Sequence, residues 1–315
     1  MLPALVLTAG LGTRLDPLTR LLAKPAVPVA GRALIERVLD WLRRQGATDV
    51  VLNLHHRPET ITAVVADGAH LGLRVRYSWE RPILGSAGGP RHALPLVGAE
   101  TFLIVNGDTL CEIDLAPMID AHARSGASAT LAVVPNPAPD HYSGIRLDAT
   151  DAVQEFVPKG HRDKAWHFVG IQVVNAGMFE SLPDGVPAET VAGLYREMVT
   201  TRPGSVQGWR IDTKFVDVGT PRDYLRTALE YGRSSSDGSV IEGDVSQVDT
   251  TARLRRSVVW PGARIGARVD LDECIVAGMA LPPGFRATQS VLVPAAVVRP
   301  GDRATTIGDV ARFPL

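Results

Sequence analysis

The chain has 315 residues, which is enough for one large domain and a smaller one with an ample core. Its 33 basic and 34 acidic side chains leave a formal net charge of −1, and nothing in this balance indicates a surface for nucleic acid or membranes. Apolar residues make up 45% of the chain and charged residues 21%, as in ordinary globular proteins.

The two cysteines and the first ten residues indicate in which cellular compartment the protein resides. Cys111 and Cys274 lie far apart and form no disulfide framework, which favours a reducing environment. The apolar run after Met1 has no basic flank, ends at Gly10 and is too short for a signal peptide. No other apolar stretch is long enough to cross a bilayer. We therefore expect a cytoplasmic protein that binds neither membranes nor nucleic acid.

Strand-like and helix-like patterns alternate through the first two-thirds of the chain. This alternation predicts a doubly wound α/β fold with a mostly parallel sheet, in which ligands bind beyond the carboxyl ends of the strands. The predicted strands are Ala4–Leu7, Asp49–Leu54, Arg74–Ser78, Thr101–Asn106 and Thr130–Val134, and the predicted helices are Ala33–Gln45, Glu59–Ala66 and Leu115–Ser125.

A glycine-rich turn follows the first predicted strand. Gly10 and Gly12 allow backbone N–H groups to converge on an anion, and Arg14 and Lys24 add two full positive charges. The dinucleotide-binding fingerprint would require a third glycine where Leu15 stands, and the P-loop pattern is absent. The turn therefore indicates a triphosphate site, with an ordinary strand-to-helix turn as the alternative.

Two acidic turns are candidate metal sites. The run Phe102–Asn106 ends in Gly107-Asp108, and the run Phe215–Val218 contains Asp217 before Gly219-Thr220-Pro221. Each is an apolar segment with one carboxylate near its end, which suits a Mg²⁺ ion that also binds phosphate oxygens. Either one, taken alone, is more simply a turn.

A third glycine-rich segment, Pro82–Gly89, offers bare backbone against which a flat base or a sugar ring can lie. Its alternative is a flexible loop before the next helix. His55 and His56 are adjacent, so their side chains point apart on a strand and do not readily share a metal.

The composition changes at Gly232–Ser239, a polar tract typical of a flexible joint. Beyond it Val259, Ile265 and Leu271 recur every six residues, which predicts a short β-solenoid. The alternative is an irregular β-rich tail. No histidine follows His167, so the tail carries no histidine base for an acyltransferase site and is expected to be structural or regulatory.

The whole string Gly10-x-Gly12-Thr13-Arg14-Leu15-x-Pro17-Leu18-Thr19, with Lys24-Pro25 and Pro28-Val29, resembles the signature of the sugar nucleotidyltransferases. The acidic turns resemble the family's Gly-Asp and Asp-Ile-Gly-Thr-Pro motifs, Leu84–Gly88 resembles Leu-Gly-Thr-Ala-Gly, and Glu155–Gly160 resembles Phe-x-Glu-Lys-Pro. The chain departs from the family pattern at Ala23, Pro158, Gly160 and Phe168, and it has one inserted residue in the turn Tyr142-Ser143-Gly144, which resembles the family's Tyr-Gly turn.

The resemblance implies an enzyme that joins a sugar 1-phosphate to an NTP, with Mg²⁺ on Asp108 and Asp217. Arg14, Lys24, Asp108 and Asp217 are then the expected catalytic residues. The remaining implied nucleotide-binding residues are Leu7, Ala9, Gly10, Gly12, Thr13, Gly85, Ala87, Gly88 and Asn106, and those for the sugar phosphate are Gly144, Lys159 and Gly170.

The implied architecture is a Rossmann-like nucleotidyltransferase domain over residues 1–233, a linker over 234–239 and a short left-handed β-helix over 240–315. Such a tail resembles mannose-1-phosphate guanylyltransferases, so GTP is the favoured nucleotide. Gly68–Ser78 and Val27–Gly31 look equally like N-acetylmuramate-1-phosphate uridylyltransferases, which use UTP, and another hexose 1-phosphate remains an alternative acceptor. A catalytically silent subunit that binds a nucleotide sugar is a further alternative. Because short solenoids expose open ends, we expect a homo-oligomer.

Overall fold

The computed structural model describes residues 1–161, 163–232 and 238–315, so residues 234–237 of the predicted linker lie outside the described residues. The helices are α1 (Leu34–Arg44), α2 (Pro58–Val65), α3 (Gly85–Val97), α4 (Leu115–Ser125), α5 (Tyr195–Thr201) and α6 (Pro221–Tyr231). The strands are β1 (Ala4–Leu7), β2 (Pro28–Val29), β3 (Arg32–Ala33), β4 (Asp49–Leu54), β5 (Arg74–Trp79), β6 (Thr101–Asn106), β7 (Thr109–Leu110), β8 (Ala129–Pro135), β9 (Gly144–Leu147), β10 (Val153–Val157), β11 (Trp166–Asn175), β12 (Val206–Arg210), β13 (Val216–Asp217), β14 (Val240–Ile241), β15 (Arg253–Arg255), β16 (Val258–Val259), β17 (Arg264–Ile265), β18 (Asp270–Val276), β19 (Ala280–Leu281), β20 (Arg286–Pro294), β21 (Thr305–Ile307) and β22 (Val310–Pro314).

The five predicted strands and three predicted helices are confirmed, each within one or two residues of its predicted ends. These segments combine strong periodicity with clear stop signals. At α4, for example, the Asp114 carboxylate accepts a hydrogen bond from Ala116 N at 3.1 Å, and Gly126 ends the helix with a φ of 66°. None of the helices within the described residues has both the length and the apolar character needed to span a bilayer.

Residues group into two units that interleave along the sequence. The first, here called the sheet unit, contains Met1–Gly10, Val38–Pro58 and Val65–Val216. The second, here called the coil unit, contains Leu11–Arg37, Glu59–Val64 and Asp217–Leu315. The residues that carry Arg14 and Lys24 therefore group with the C-terminal third of the chain. The predicted domain boundaries at residues 233 and 240 stay a prediction.

A nine-stranded mixed sheet forms the centre of the sheet unit. The strand order is β10-β9-β11-β6-β1-β4-β5, with β8 paired to β11 and to β12. Strand β1 runs parallel to both β4 and β6, and β11 runs antiparallel to β6. This arrangement confirms the predicted α/β class with a parallel-rich sheet.

The central strands are apolar on both faces because both faces are covered. Leu5 of β1 and Phe102 and Ile104 of β6 are fully buried. The Phe102 ring packs against Phe179, with 6.1 Å between ring centroids. The same apolar runs that predicted these strands thus supply the core that fixes their positions.

Short strands repeat through the C-terminal part of the coil unit. Leu254 pairs with Leu271 and Leu271 with Ala287, all in parallel strands, so each partner lies 16 or 17 residues further along the chain. These buried side chains share one apolar core. Strand β22 then pairs with β20 in the antiparallel sense and ends the parallel series. The C-terminal residues therefore form a series of stacked parallel strands.

Helix α6 connects these strands to the β2–β3 hairpin within the coil unit. The Tyr224 hydroxyl donates to Pro28 O at 2.8 Å, and Trp260 Nε1 donates to the Tyr224 oxygen at 2.7 Å. Both rings are buried, and the pKa of Tyr224 is raised well above its usual value chiefly by burial. The Tyr224–Trp260 pair thus packs α6 and the C-terminal strands against the hairpin, and the Tyr224 hydroxyl keeps its proton.

We expect Trp260→Phe to lower the free energy of unfolding by about 2 kcal/mol, because it removes a buried hydrogen-bond donor and some packing volume. Urea unfolding followed by circular dichroism measures the change. Trp79→Phe is the matched control, since Trp79 is 57% exposed. Equal stability of the two variants would contradict the role given to the Trp260–Tyr224 pair.

The same hairpin is held by a buried carboxylate. Glu242 accepts hydrogen bonds from Ala30 N at 2.7 Å and from Gly31 N, both on residues with positive φ at the hairpin turn. Burial raises the pKa of Glu242, and these backbone donors offset only part of the shift. The folded state therefore retains the proton on this carboxyl to a higher pH than the unfolded chain does.

We expect the wild-type protein to lose stability relative to Glu242→Gln as the pH rises above the unfolded-state pKa of the carboxyl, about 4.3. Below the unfolded-state pKa the carboxyl is protonated in both states, whereas between the two pKa values only the unfolded state ionises. Urea unfolding at several pH values measures the difference, with the exposed Glu180→Gln as the control. A difference that did not change with pH would rule out this linkage.

Candidate functional site

The carboxyl ends of three parallel strands meet at one edge of the sheet unit. Leu7 at the end of β1 is in register with Asn53 of β4 on one side and with Asn106 of β6 on the other. The chain continues from β1 to β4 and β5 on one side and returns to β6 on the other, so the strand order reverses here. A crevice opens at such a point in an α/β sheet. The edge predicted for ligand binding is therefore the edge at which these polar side chains lie.

A cavity of about 300 Å³ lies at this edge. Six residues predicted from the sequence line it, and all belong to the sheet unit: Leu7, Ala9, Gly10, Gly85, Asn106 and Asp108. Two further lining residues, Ile83 and Ser86, belong to the predicted segment Pro82–Gly89. Sequence reasoning missed the other three, which are Asn53, Glu80 and Glu189. The only sequence signal for Asn53 is that it is a lone amide near the end of an apolar run.

Glu80 is 1% exposed, and its carboxylate is satisfied inside the sheet unit. Oε1 accepts a hydrogen bond from Asn53 Nδ2 and Oε2 accepts one from Leu84 N, both at 2.7 Å. Asn53 Oδ1 in turn accepts from Thr8 N at 2.6 Å. This network fixes the segment before α3 to the ends of β1 and β4, since a buried charge needs such partners.

The first turn of α3 makes a second connection across the cavity wall. Ser86 Oγ donates to Glu189 Oε2 at 2.5 Å and accepts from Thr190 N at 2.8 Å. A Cβ on Gly85 would lie 2.6 Å from Glu189 Oε1, so only glycine fits there, and its φ is +74°. This part of the cavity wall is therefore formed by the first turn of α3 and the segment Glu189-Thr190, which pack closely together.

Ala87 and Gly88, predicted to bind nucleotide, are buried in α3 and are not among the residues that line the cavity. Their backbone N–H groups donate to Ala188 O at 2.9 and 3.1 Å. These donors are engaged within the protein, so the two residues support the cavity wall. Their direct role toward a nucleotide stays a prediction.

The residues predicted for the sugar phosphate lie on three neighbouring strands of the sheet unit or beside them. Gly170 of β11 has a φ of +82°, and a Cβ there would lie 2.5 Å from Asn106 Nδ2. Gly144 pairs with Val157 between β9 and β10, and Lys159 is exposed two residues after β10. The structure thus brings Gly170 against Asn106 and places Lys159 on a loop at the end of β10.

In the coil unit two cations flank one carboxylate. Lys24 Nζ lies 3.5 Å from Asp217 Oδ1, and Arg14 Nη2 lies 3.8 Å from Asp217 Oδ2. The Lys24 side chain is 8% exposed and that of Arg14 57%. The buried ammonium is held in place, whereas the guanidinium extends into solvent, where it can grip an anion.

Gly12 is a steric requirement of this arrangement. Its φ is +62°, and a Cβ there would lie 2.8 Å from Thr19 Cγ2 and 3.2 Å from Lys24 Cβ. Thr13 begins the short helical turn that carries Arg14. The glycine that suggested an anion-binding turn is therefore also needed for the close packing of Thr19 and Lys24.

Comparison with known proteins gives the family. The family model described as nucleotidyl transferase matches residues 3–234. The chain is 28% identical over 283 residues to the mannose-1-phosphate guanylyltransferase of Mycobacterium tuberculosis. This match covers 87% of this chain and 79% of that protein. It is 34% identical over 221 residues to the N-acetylmuramate alpha-1-phosphate uridylyltransferase of Neisseria meningitidis serogroup B, covering 69% and 93% of the two chains.

The sheet and its helices also resemble a solved structure. The crystal structure of HddC from Yersinia pseudotuberculosis complexed with GMP-PN has a TM-score of 0.64 at 23% identity, and the match covers 73% of this chain and all of that one. This likeness concerns the fold alone. The family resemblance expected from the signature is confirmed by the family model, and the chain is an enzyme that belongs to the nucleotidyl transferase family.

Proposed function

We propose that this enzyme transfers a nucleotidyl group from an NTP to a sugar 1-phosphate and releases pyrophosphate. The observation that carries the proposal is the convergence of Arg14 and Lys24 on Asp217, two cations and a carboxylate brought together from segments almost two hundred residues apart. Curated relatives from several organisms act on sugar 1-phosphates, which supports this acceptor class.

The reaction requires charge and positioning more than acid–base chemistry. The phosphate oxygen of the acceptor is already ionised, so it attacks the α-phosphorus in line without a general base, and pyrophosphate departs from the opposite side. In this proposal Arg14 binds the β- and γ-phosphates, Lys24 stabilises the charge that develops at the α-phosphate, and Lys159 binds the incoming phosphate.

Magnesium is the proposed metal of this reaction. Asp108 and Asp217 are the proposed ligands, and a hard cation that takes one or two protein carboxylates together with phosphate oxygens and water suits such a pair. When bound, Mg²⁺ neutralises phosphate charge and orients the leaving group. Among the described residues there is no group of three or more acidic, histidine or cysteine side chains that could hold a metal ion by itself.

Guanine is the proposed base and mannose 1-phosphate the proposed acceptor. Glu189 is an exposed residue that lines the cavity of the sheet unit, and an ionised carboxylate only accepts hydrogen bonds. Guanine presents two adjacent N–H donors on its Watson–Crick edge. The match to the mannose-1-phosphate guanylyltransferase also extends over 87% of the chain, beyond the family-model region.

Uridylyl transfer is the second candidate. It is favoured by the 34% identity to the N-acetylmuramate alpha-1-phosphate uridylyltransferase, of which 93% is covered. Uracil has only one N–H donor on the corresponding edge, so a carboxylate with two acceptor oxygens suits it less well. Transfer to another hexose 1-phosphate remains a variant of this candidate.

We further propose that the stacked C-terminal strands form a short left-handed β-helix and that the enzyme is a cytoplasmic homo-oligomer. The offset of 16 or 17 residues between paired strands supports a coil of about three six-residue turns. Light scattering of the purified protein measures the oligomeric state.

We expect pyrophosphate release when the enzyme is mixed with Mg²⁺, GTP and mannose 1-phosphate, and EDTA should abolish it. A coupled pyrophosphate assay with four NTPs against a panel of sugar 1-phosphates tests base and acceptor together. Higher kcat/KM with UTP and N-acetylmuramate 1-phosphate would replace the guanylyl assignment by the uridylyl one. Nucleotide binding without any pyrophosphate from the whole panel would contradict the proposed function.

We expect Asp217→Asn to lower kcat by about two to three orders of magnitude while the protein stays folded, because the amide keeps the shape but loses the charge. Asp108→Asn should behave in the same way. The matched control is Asp212→Asn, an exposed carboxylate five residues before Asp217. If both variants kept activity near that of the control with Mg²⁺, the two carboxylates would not be metal ligands.

A further inference from the structure

Arg20 is the most highly connected cation of the coil unit. Its side chain is 7% exposed. Nε donates to Asp16 Oδ1 at 2.8 Å, Nη1 donates to Val297 O at 2.9 Å, and Nη2 donates to Asp302 Oδ1 at 2.9 Å. Nη1 also donates to Asp302 and Nη2 to Asp16. All five N–H donors of the guanidinium are therefore engaged.

The C-terminal partners of Arg20 are themselves held in place. Asp302 Oδ2 accepts a hydrogen bond from Arg299 N at 2.6 Å, and the Arg20 guanidinium lowers the pKa of Asp302 to about 2. The Phe313 ring lies with its centroid 5.4 Å from Arg20 Cζ. A planar bidentate pair with an added ring contact fixes orientation as well as distance, which a lysine could not do.

The position of Arg20 in the sequence gives these contacts a consequence for the phosphate-binding cations. Arg20 lies between Arg14 and Lys24, directly after Thr19, whose hydroxyl donates to Gly12 O at 3.3 Å. The next residue, Leu21, faces Gly278, which lies between β18 and β19. A Cβ on Gly278 would lie 3.5 Å from Leu21 Cδ1. The segment that carries both cations is thus packed on C-terminal residues at its middle.

The chain after Lys24 is anchored in the same way. Pro28 O accepts from Tyr224, which is bonded to Trp260, and Ala30 N donates to Glu242. Lys24 therefore stands between two anchor points, Arg20 four residues before it and Pro28 four residues after it. Both are fixed by residues of the C-terminal hundred, far from Lys24 in sequence.

We propose that the Arg20–Asp302 ion pair is a positioning contact for nucleotide binding, through which the C-terminal segment holds Arg14 and Lys24 in the orientation that the triphosphate requires. Arg20 and Asp302 do not touch the substrate in this proposal; they act through the segment 11–24. The inference rests on the proposed function, and it gives the C-terminal residues a part in the affinity for NTP in addition to any part in assembly.

Asp302→Asn tests the contact in the full-length chain. With the NTP that the wild-type enzyme uses, we expect KM for NTP to rise about tenfold while KM for the sugar 1-phosphate changes less than about twofold. Asp302→Glu should restore part of the affinity. Asp272→Asn is the matched control, because Asp272 pairs with Arg256 at 2.6 Å on the C-terminal strands and with no residue of segment 11–24.

A second readout does not depend on activity. Backbone amides of residues 11–24 should exchange hydrogen about tenfold faster in Asp302→Asn than in the wild type or in Asp272→Asn. If Asp302→Asn does not fold, Phe313→Leu, which removes only the ring over Arg20, makes the same comparisons.

The outcomes separate this inference from the proposed function. A wild-type enzyme that releases pyrophosphate, together with a folded Asp302→Asn whose KM for NTP and amide exchange in segment 11–24 are unchanged, overturns the positioning role and leaves the function intact. Reduced thermal stability with unchanged KM would also overturn it, since that is the signature of a structural contact alone. A wild-type enzyme without activity overturns the proposed function, and the exchange result then decides whether Asp302 orders the segment.

Discussion

The parallel register of β1 with β4 and β6 is the constraint on which the candidate cavity depends. Because Leu7, Asn53 and Asn106 occupy the same level of three adjacent strands, the three chains leave the sheet together and their polar ends form one edge. A shift of one residue in either pairing would turn Asn53 or Asn106 toward the opposite face of the sheet. The buried apolar side chains that set this register therefore also set the chemistry of the cavity.

In both units, the buried charged side chains are paired with protein groups. Glu80 in the sheet unit and Lys24 and Arg20 in the coil unit are nearly inaccessible, so each would be costly without a partner. Glu80 and Arg20 are satisfied entirely by protein groups. Lys24 lies 3.5 Å from Asp217, so its buried charge is paired with a carboxylate of the same unit.

Local patterns were sufficient for the helices and strands of the parallel half of the sheet. Their apolar periodicity, caps and glycine stops act over a few residues, and the predicted ends agree with the structure. Glu189 could not be found in this way, because its place at the cavity depends on the approach of Ala188 to the first turn of α3. The place of Glu80 depends on its bonds to Asn53 and Leu84, which local patterns do not reveal either. Ala87 and Gly88 are predicted to contact nucleotide because they are small. The close approach of Ala188 to α3 also explains their small size, so the sequence pattern alone does not distinguish packing from ligand contact.

Long-range pairing explains why the grouping of segment 11–37 with the C-terminal residues was not predicted. The contact between Arg20 and Asp302 joins positions 282 residues apart, and neither residue belongs to a motif. A composition break such as Gly232–Ser239 marks a change in local structure, but it carries no information about which earlier segment the later strands pack against. In this chain the later strands pack against the segment with the strongest functional signature, so the residues that define the family and the residues that follow the family-model region are parts of one folded unit.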